Sequence, residues 1–494
     1  MRALTTFLLL SAFAIGQNVP DRTAILRHGE SLVATNQLAA AEGLYENALR
    51  DFPDDAELRY ELGMIFFRQQ KWTKAIEIFR KSASEQPGEV KPLFYLAQSY
   101  FMTSDLDRAR QTMAQAAVIA PKDAQVCQKY GEYLSATLDN RKEGLAWLKK
   151  ARNLNTGLPR IDFEVGKTEF EITDYINATL SLEQALKKNP NDGEAAFYLG
   201  EAQSSLNDWA RAREYYSYAL ARKYVRSEAY YGLGRADVAL AEYTAAVDPL
   251  NQAIAMQPSL INAHLQLAKA YRRLGRTAQA EKENRLFAAM TDRVDTSRRL
   301  STSEERAWKE VKPLLEANKE EEALQLLAKM PVAEAHGPGG ALYLLGVMYY
   351  SMGRNDDAKR VLALAQKAAP DSANIAAYLG MVQLSSEEAS AAENSFQSAL
   401  ALDSNEALAL IGLGGLRYQQ KRWADSVRYL ERSRTADPRT LFILCDAYYR
   451  DGRPEQAELT AEVIRAFGTD NKPLLGELDR LIASHHHNLS KAEP

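Results

Sequence analysis

A Leu-Gly pair recurs along this chain about every 34 residues, and that spacing narrows the possible folds more than any other feature. The pairs are Leu62-Gly63, Leu199-Gly200, Leu233-Gly234, Leu345-Gly346, Leu379-Gly380 and Leu413-Gly414, with variants at Leu96-Ala97, Tyr130-Gly131, Val165-Gly166, Leu267-Ala268 and Leu444-Cys445. Twelve residues after each small residue stands another: Ala75, Ala109, Ala178, Ala212, Ala246, Ala280, Ala358, Ala392, Ser426 and Ala457. Gly144 takes that place in one unit after a one-residue insertion. Four residues further on, the side chain is large, as at Tyr45, Phe79, Met113, Leu182, Tyr216, Leu250, Leu362, Phe396 and Leu430. A unit this short cannot bury an apolar face alone, so successive units must stack. The spacing predicts two antiparallel helices per unit, with the small residues facing each other and the large ones filling the grooves beside them.

The punctuation agrees with two helices. Gly275, Gly353 and Gly452 stand between the predicted helices A and B, where a left-handed residue ends a helix. Helix B often opens on an aromatic: Trp72, Tyr175, Trp209, Tyr243 or Trp423. Pro53, Pro87, Pro121, Pro190, Pro258, Pro370 and Pro438 then close their units, because proline lacks an amide donor and disfavours helix in the preceding residue.

This pattern resembles the tetratricopeptide-repeat family over Arg22 to Gly468, in about thirteen units. The tryptophan that the family favours early in helix A is replaced by Leu93, Tyr230, Leu342 and Leu410. The resemblance implies an all-α superhelix, a solenoid of about 12–13 helix-turn-helix repeats. It also implies that the second, fifth, ninth and twelfth positions of helix A line a concave binding face. Those positions supply an aromatic ladder with interspersed charge, and the candidate binding residues are Tyr60, Phe67, Phe94, Phe101, Phe163, Phe170, Phe197, Tyr231, Arg235, Tyr343, Tyr350 and Tyr418. Either these rings pack between successive A helices, or enough of them stay exposed to form a partner site. The Lys and Asn pattern by which some relatives clamp a chaperone's terminal carboxylate is absent.

Composition sets the remaining bounds. A formal net charge of -4 lacks the basic footprint of a nucleic-acid binder. Residues 1–16, with Arg2 ahead of an apolar run and Ala14-Ile15-Gly16 at its end, read as a signal peptide cleaved before Gln17, the alternative being an uncleaved anchor. That places the mature protein outside the cytoplasm, periplasmic or secreted in a bacterium, with no integral membrane span after cleavage. The repeats read as a first array at 22–290, a linker and degenerate repeat at 291–338, a second array at 339–470, a capping helix at 471–484 and a polar tail at 485–494. Pro313 is expected to kink or restart a helix in the degenerate repeat.

The sequence offers little chemistry. His28 and His264 fall inside the repeat pattern and read as packed core residues, and His485-His486-His487 lies on a terminus too frayed to preorganise a metal site. Cys127 and Cys445 read as buried free thiols. No phosphate loop, Cys-x-x-Cys pair or nucleophile elbow occurs, so neither cofactor nor catalysis is expected. Two functions contend: a scaffold that binds partner peptides or helices, and an accessory protein of exopolysaccharide secretion that stacks sugars on the aromatics. An enzyme is a third and weaker reading.

Overall fold

The computed structural model describes residues 21–291, 293, 302–330 and 339–492, with only the backbone at 302–306 and 486–492. The expected leader at 1–16 lies outside these residues. Among the described residues, 27 α-helices and one short 3-10 turn account for the secondary structure. The first helix pair is Arg22–Ala34 with Leu38–Asp51, and the thirteenth is Pro438–Arg450 with Pro454–Phe467. A final helix, Lys472–Ala492, follows. The protein is an all-α helical-repeat solenoid. It divides into two compact units, Met1–Tyr224 and Val225–Pro494.

Within each pair, the close approach is small against large. A methyl group at Gly63 would lie 2.6 Å from the Phe79 ring, one at Gly166 2.7 Å from Leu182, and one at Gly346 2.5 Å from Leu362. The glycine of helix A therefore receives the large residue four places beyond the small one of helix B. The small residues face each other as expected, with Ser426 Oγ donating to the Gly414 carbonyl at 2.9 Å and Cys445 Sγ lying 3.3 Å from the Ala457 carbonyl. The small residue of helix B lets the two backbones approach, and the large side chain crosses over the glycine. Phe79, Leu182, Tyr216, Leu250, Leu362, Phe396 and Leu430 are all fully buried by that crossing. In the fourth repeat Gly131 and Gly144 bring backbone against backbone, and the 3-10 turn Leu138–Asn140 absorbs the extra residue.

The turn between helices A and B needs a left-handed residue in every repeat with a described turn of standard length, but glycine supplies it only at Gly275, Gly353 and Gly452. Asn36, Gln70, Ser104, Thr173, Asn207, Ala241, Asn318, Glu387 and Lys421 hold φ near +60° elsewhere. A β-branched residue is the least suited to that region. Thr173→Gly is therefore expected to stabilise the first unit by about 1 kcal/mol, net of the added chain entropy, read as a higher denaturation midpoint. A lower midpoint would refute the strain argument.

The prolines divide into two groups. Pro53, Pro87, Pro121, Pro190, Pro258 and Pro370 each stand two residues after a helix B ends. Pro438 instead opens the helix Pro438–Arg450, capped by Asp437. The helix before it is cut short at Ser433, with Arg434 left-handed at φ 50°. Nor does Pro313 restart a helix: Thr302–Glu316 runs through it, with Val311 and Leu315 buried on either side. The packed face holds the turn together despite one missing backbone bond.

The second unit contains a contact between distant repeats. Helix Thr277–Thr291 lies against helix Pro454–Phe467, five repeats later. Met290 is buried among Val427, Leu430, Leu444 and Ile464. Lys282 Nζ reaches Glu462 at 2.9 Å, and Arg293 donates to the Thr435 carbonyl at 3.3 Å. The interruption at 291–338 thus lies inside one compact unit.

The last helix also differs from the expected cap and tail. Leu474 and Leu478 bury into the cluster of the last repeat, as a cap should. The helix then continues through the three histidines to Ala492. His485 stacks on Tyr449, with ring centroids 4.5 Å apart and planes 8° apart, and its Nε2 lies 3.1 Å from Asp446 Oδ1. Asp446 is buried, and burial opposes its ionisation. Hydrogen bonds from Tyr418, Arg450 and His485 outweigh that effect and hold its carboxyl below the usual range.

Candidate functional site

The candidate residues sit on the A helices, and the structure shows what each ring touches. Phe67, Phe170 and Tyr418, all twelfth-position rings, pack against the aromatic that opens their own helix B. Phe67 meets Trp72 at 5.2 Å, Phe170 meets Tyr175 at 5.6 Å and Tyr418 meets Trp423 at 5.2 Å. Most of these pairs are edge-to-face, which suits the ring quadrupoles.

A second set of contacts runs from one repeat to the next through a tyrosine at the sixth position. Tyr95 receives Tyr60 at 6.1 Å, Phe67 at 5.3 Å and its neighbour Phe94 at 5.4 Å. Tyr198 receives Phe163 at 5.8 Å, Phe170 at 5.8 Å and Phe197 at 5.5 Å. Tyr378 receives Tyr343 at 5.5 Å. The sequence reading passed over these three residues. The signal was present in the segments Phe94-Tyr95-Leu96-Ala97, Phe197-Tyr198-Leu199-Gly200 and Ala377-Tyr378-Leu379-Gly380.

These contacts decide how much of the ladder faces solvent. Phe163 and Tyr343 are buried. Tyr60, Phe67, Phe94, Phe170, Phe197, Tyr231, Arg235, Tyr350 and Tyr418 are half-buried. Phe101 is 41% exposed and lies nearly parallel to Tyr133 at 4.8 Å. Arg235 stands over the Tyr231 ring at 5.5 Å, and the Tyr350 hydroxyl lies 3.2 Å from Ser385 Oγ. Within each unit most candidate rings are therefore packed against other rings, and Phe101 in the first unit is the most exposed of them.

Carboxylates stand between the rings. Glu164, at the sixth position of its repeat, has its pKa pushed up to about 7 by burial and by Glu132 on the preceding A helix, against the pull of Lys167, Arg160 and Lys129. The sign follows directly. An acid whose folded pKa is raised is penalised when ionised, so its cost is absent below its unfolded value near 4.5 and complete above 7. Glu164→Gln is expected to raise the stability of the first unit by of order 2 kcal/mol at pH 8, discounted for partial exposure, and to leave it unchanged at acid pH. Equal melting shifts at both pH values would contradict this.

The histidines and cysteines have other roles. His264 is buried, with Nδ1 2.6 Å from Glu283 and Nε2 3.2 Å from the Pro258 carbonyl. Arg59 makes the same two kinds of contact, with Glu85 and the Pro53 carbonyl. His28, expected in the core, is exposed, because its side chain leaves the face that Gly29 buries. Cys127 and Cys445 are buried and free. Among the described residues no group of three or more His, Cys, Asp or Glu is placed to hold a metal, and no helix is long and apolar enough to cross a membrane.

Comparison with known proteins agrees with the repeat geometry. One tetratricopeptide-repeat profile matches residues 26–90, 169–224, 204–261 and 378–440, and a second matches 66–128 and 314–381. Together they cover more than half of the chain. The chain belongs to the tetratricopeptide-repeat family. Cellulose synthase 1 operon protein C of Komagataeibacter xylinus is 44% identical over 71 residues, which are 14% of this chain and 5% of that protein. The BBSome complex member BBS4 homolog of Drosophila melanogaster is 29% identical over 133 residues, 27% of each chain. This chain thus spans well under a third of the length of either relative. Among solved structures, a tetratricopeptide repeat protein from Parabacteroides merdae has 17% identity and a TM-score of 0.38, covering 50% of this chain and 98% of that one. YrrB, described as a TPR protein with an unusual peptide-binding site, has 21% identity and a TM-score of 0.34, covering 38% and 97%. Family membership makes this tetratricopeptide-repeat protein a scaffold for protein interactions.

Proposed function

We propose that this protein is a non-catalytic scaffold of the bacterial cell envelope, periplasmic or secreted, that holds a peptide or helix of a partner protein along the faces of its A helices. The observation that carries the reading is the set of half-buried rings on the A helices within each unit, with Phe101 of the first unit exposed. Half-buried rings held in place by neighbours lose little freedom on binding, and aromatic and arginine anchors suit protein interfaces. The apolar stretch after Arg2 supports the exported setting.

Glycan binding in exopolysaccharide secretion is the second reading, favoured by the similarity to Cellulose synthase 1 operon protein C. The packing weighs against it. A sugar stacks on a ring face, and most faces here are covered by other rings. The test is a photo-crosslinking residue placed at Phe101 or, separately, at Val118, which is 80% exposed near the end of a helix B. In the native envelope, polypeptide crosslinks from position 101 and none from position 118 support the proposal. Glycan-array binding that is lost in Phe94→Ala and Tyr231→Ala replaces it with the second reading. A mature protein whose first residue is not Gln17 overturns the expected cleavage.

A further inference from the structure

We infer that Tyr449 and Asp446, on the A helix of the last repeat, form a subsite for a histidine or arginine side chain of the partner polypeptide, and that the chain's own His485 occupies it as a built-in competitor. The inference rests on the reading of the A helices as the partner's seat and names one side chain that the partner offers.

The first observation is a length. Helix Pro438–Arg450 has 13 residues, and one repeat of about 34 residues later the next A helix would run from Lys472 to Ser484. The helix that starts there has 21 residues and does not break. His485 is the first residue past the regular length. Leu474 and Leu478 bury the first half of this helix, whereas Ala483 and Ser484 are exposed. His485 is therefore held in place by its own ring.

The second observation is what that ring meets. Pro438 begins its A helix, so Asp446 and Tyr449 stand at the ninth and twelfth positions, among those expected to line the binding face. Twelfth-position rings elsewhere pack on the aromatic that opens their own helix B, as Phe67 does on Trp72 and Tyr418 on Trp423. In the last repeat Pro454 stands in that place. One face of the Tyr449 ring is left for another plane, and His485 lies on it, with centroids 4.5 Å apart and planes 8° apart. The Asp446 carboxylate is divided in a similar way. Its Oδ2 accepts from Tyr418 and from Arg450 Nε at 2.6 Å. Its Oδ1 has His485 Nε2, at 3.1 Å, as its one partner among the described residues. Only 3% of the Asp446 side chain and 21% of the His485 side chain are exposed. A buried carboxylate oxygen is costly without a donor, and a ring face favours a flat ring or a cation. A flat side chain that carries charge and N–H groups meets both needs, which describes histidine and arginine. Two contacts hold His485, and a partner's side chain that makes the same two can exchange for it.

The test uses the full chain and saturation-transfer NMR, with N-acetyl-histidine methylamide and its arginine and leucine equivalents as ligands. In the wild type His485 acts at a high effective concentration and excludes a free ligand, so His485→Ala is expected to raise the saturation of the histidine or arginine ligand at least about fivefold. Asp446→Asn, added to that variant, removes the gain, because the amide keeps its oxygen for Tyr418 and Arg450 and turns its N–H groups towards the ligand's donors. Tyr449→Leu removes it independently, through loss of the ring face. A gain for the histidine ligand, the arginine ligand or both supports the subsite and states which side chain it takes. Equal saturation in the wild type and in His485→Ala overturns it. So does a gain shared by the leucine ligand, or one kept in both added variants. Polypeptide crosslinks at position 101 without the gain would leave the scaffold reading in place and remove only this inference. Absence of those crosslinks would instead overturn the scaffold reading, whatever the ligands do.

Discussion

Phe396→Ala is expected to cost about 3–5 kcal/mol, at the upper end for a core truncation. The ring is fully buried, and it crosses two glycines rather than one. Gly380 lies on the A helix of its own repeat and Gly412 on the A helix of the next, and a methyl group at either would collide with the ring. Neighbours without side chains cannot swing inward to fill the space, so the cavity persists and its full cost is felt. The loss should appear as a lower denaturation midpoint and as faster hydrogen exchange in Ala373–Ser385, Ala389–Leu402 and Ala407–Gln419. In a solenoid the effect is greatest in the nearest repeats. Adding Gly412→Ala to the truncated protein is expected to recover part of the loss, although the same change in the wild type is destabilising. A cost under about 1 kcal/mol, or no recovery, would show that the crossing does not bear on stability.

The second large effect is expected at the contact between distant repeats. Met290→Asp places an unpaired charge in the cluster of Val427, Leu430, Leu444 and Ile464, at a cost of several kcal/mol. Parting of the two helices relieves that cost, so helix Thr277–Thr291 separates from Pro454–Phe467. Hydrogen exchange then rises in both helices while the first unit keeps its protection. Lys282→Ala is expected to do little by comparison, since Lys282 is 59% exposed and its pair with Glu462 is screened. Met290→Leu conserves volume and serves as the control. Unchanged exchange in Pro454–Phe467 after Met290→Asp would mean that the contact does not persist in solution.

Much of the architecture was legible from the residues because each repeat is specified locally. The Leu-Gly register, the small residue twelve places on, the aromatic that opens helix B and the proline after it all act within one unit or on its neighbour. They located thirteen helix pairs and the insertion near Asn140. Some local signals were ambiguous in kind. Proline stops one helix or starts the next with the same fixed φ, and only the packing around Pro438 assigned it to the start. The candidate ladder was located by position, but exposure was not. Whether Phe163 is buried and Phe101 open depends on Tyr198 and Tyr133, which arrive from the following repeat.

Periodicity alone determined that this chain is a stack of helix pairs, since a 34-residue unit has no other way to bury its apolar face. It was silent on contacts that skip repeats, because a repeating pattern describes neighbours and carries no term for two surfaces over a hundred residues apart. The tertiary structure decided those: Met290 in the cluster that holds Val427, and Arg293 against the Thr435 carbonyl 142 residues away. It also decided where the last helix lies, with His485 on Tyr449 and Asp446 of the neighbouring repeat. In each case the shape and charge of a folded surface select the partner, and that surface does not exist until the repeats beneath it have packed.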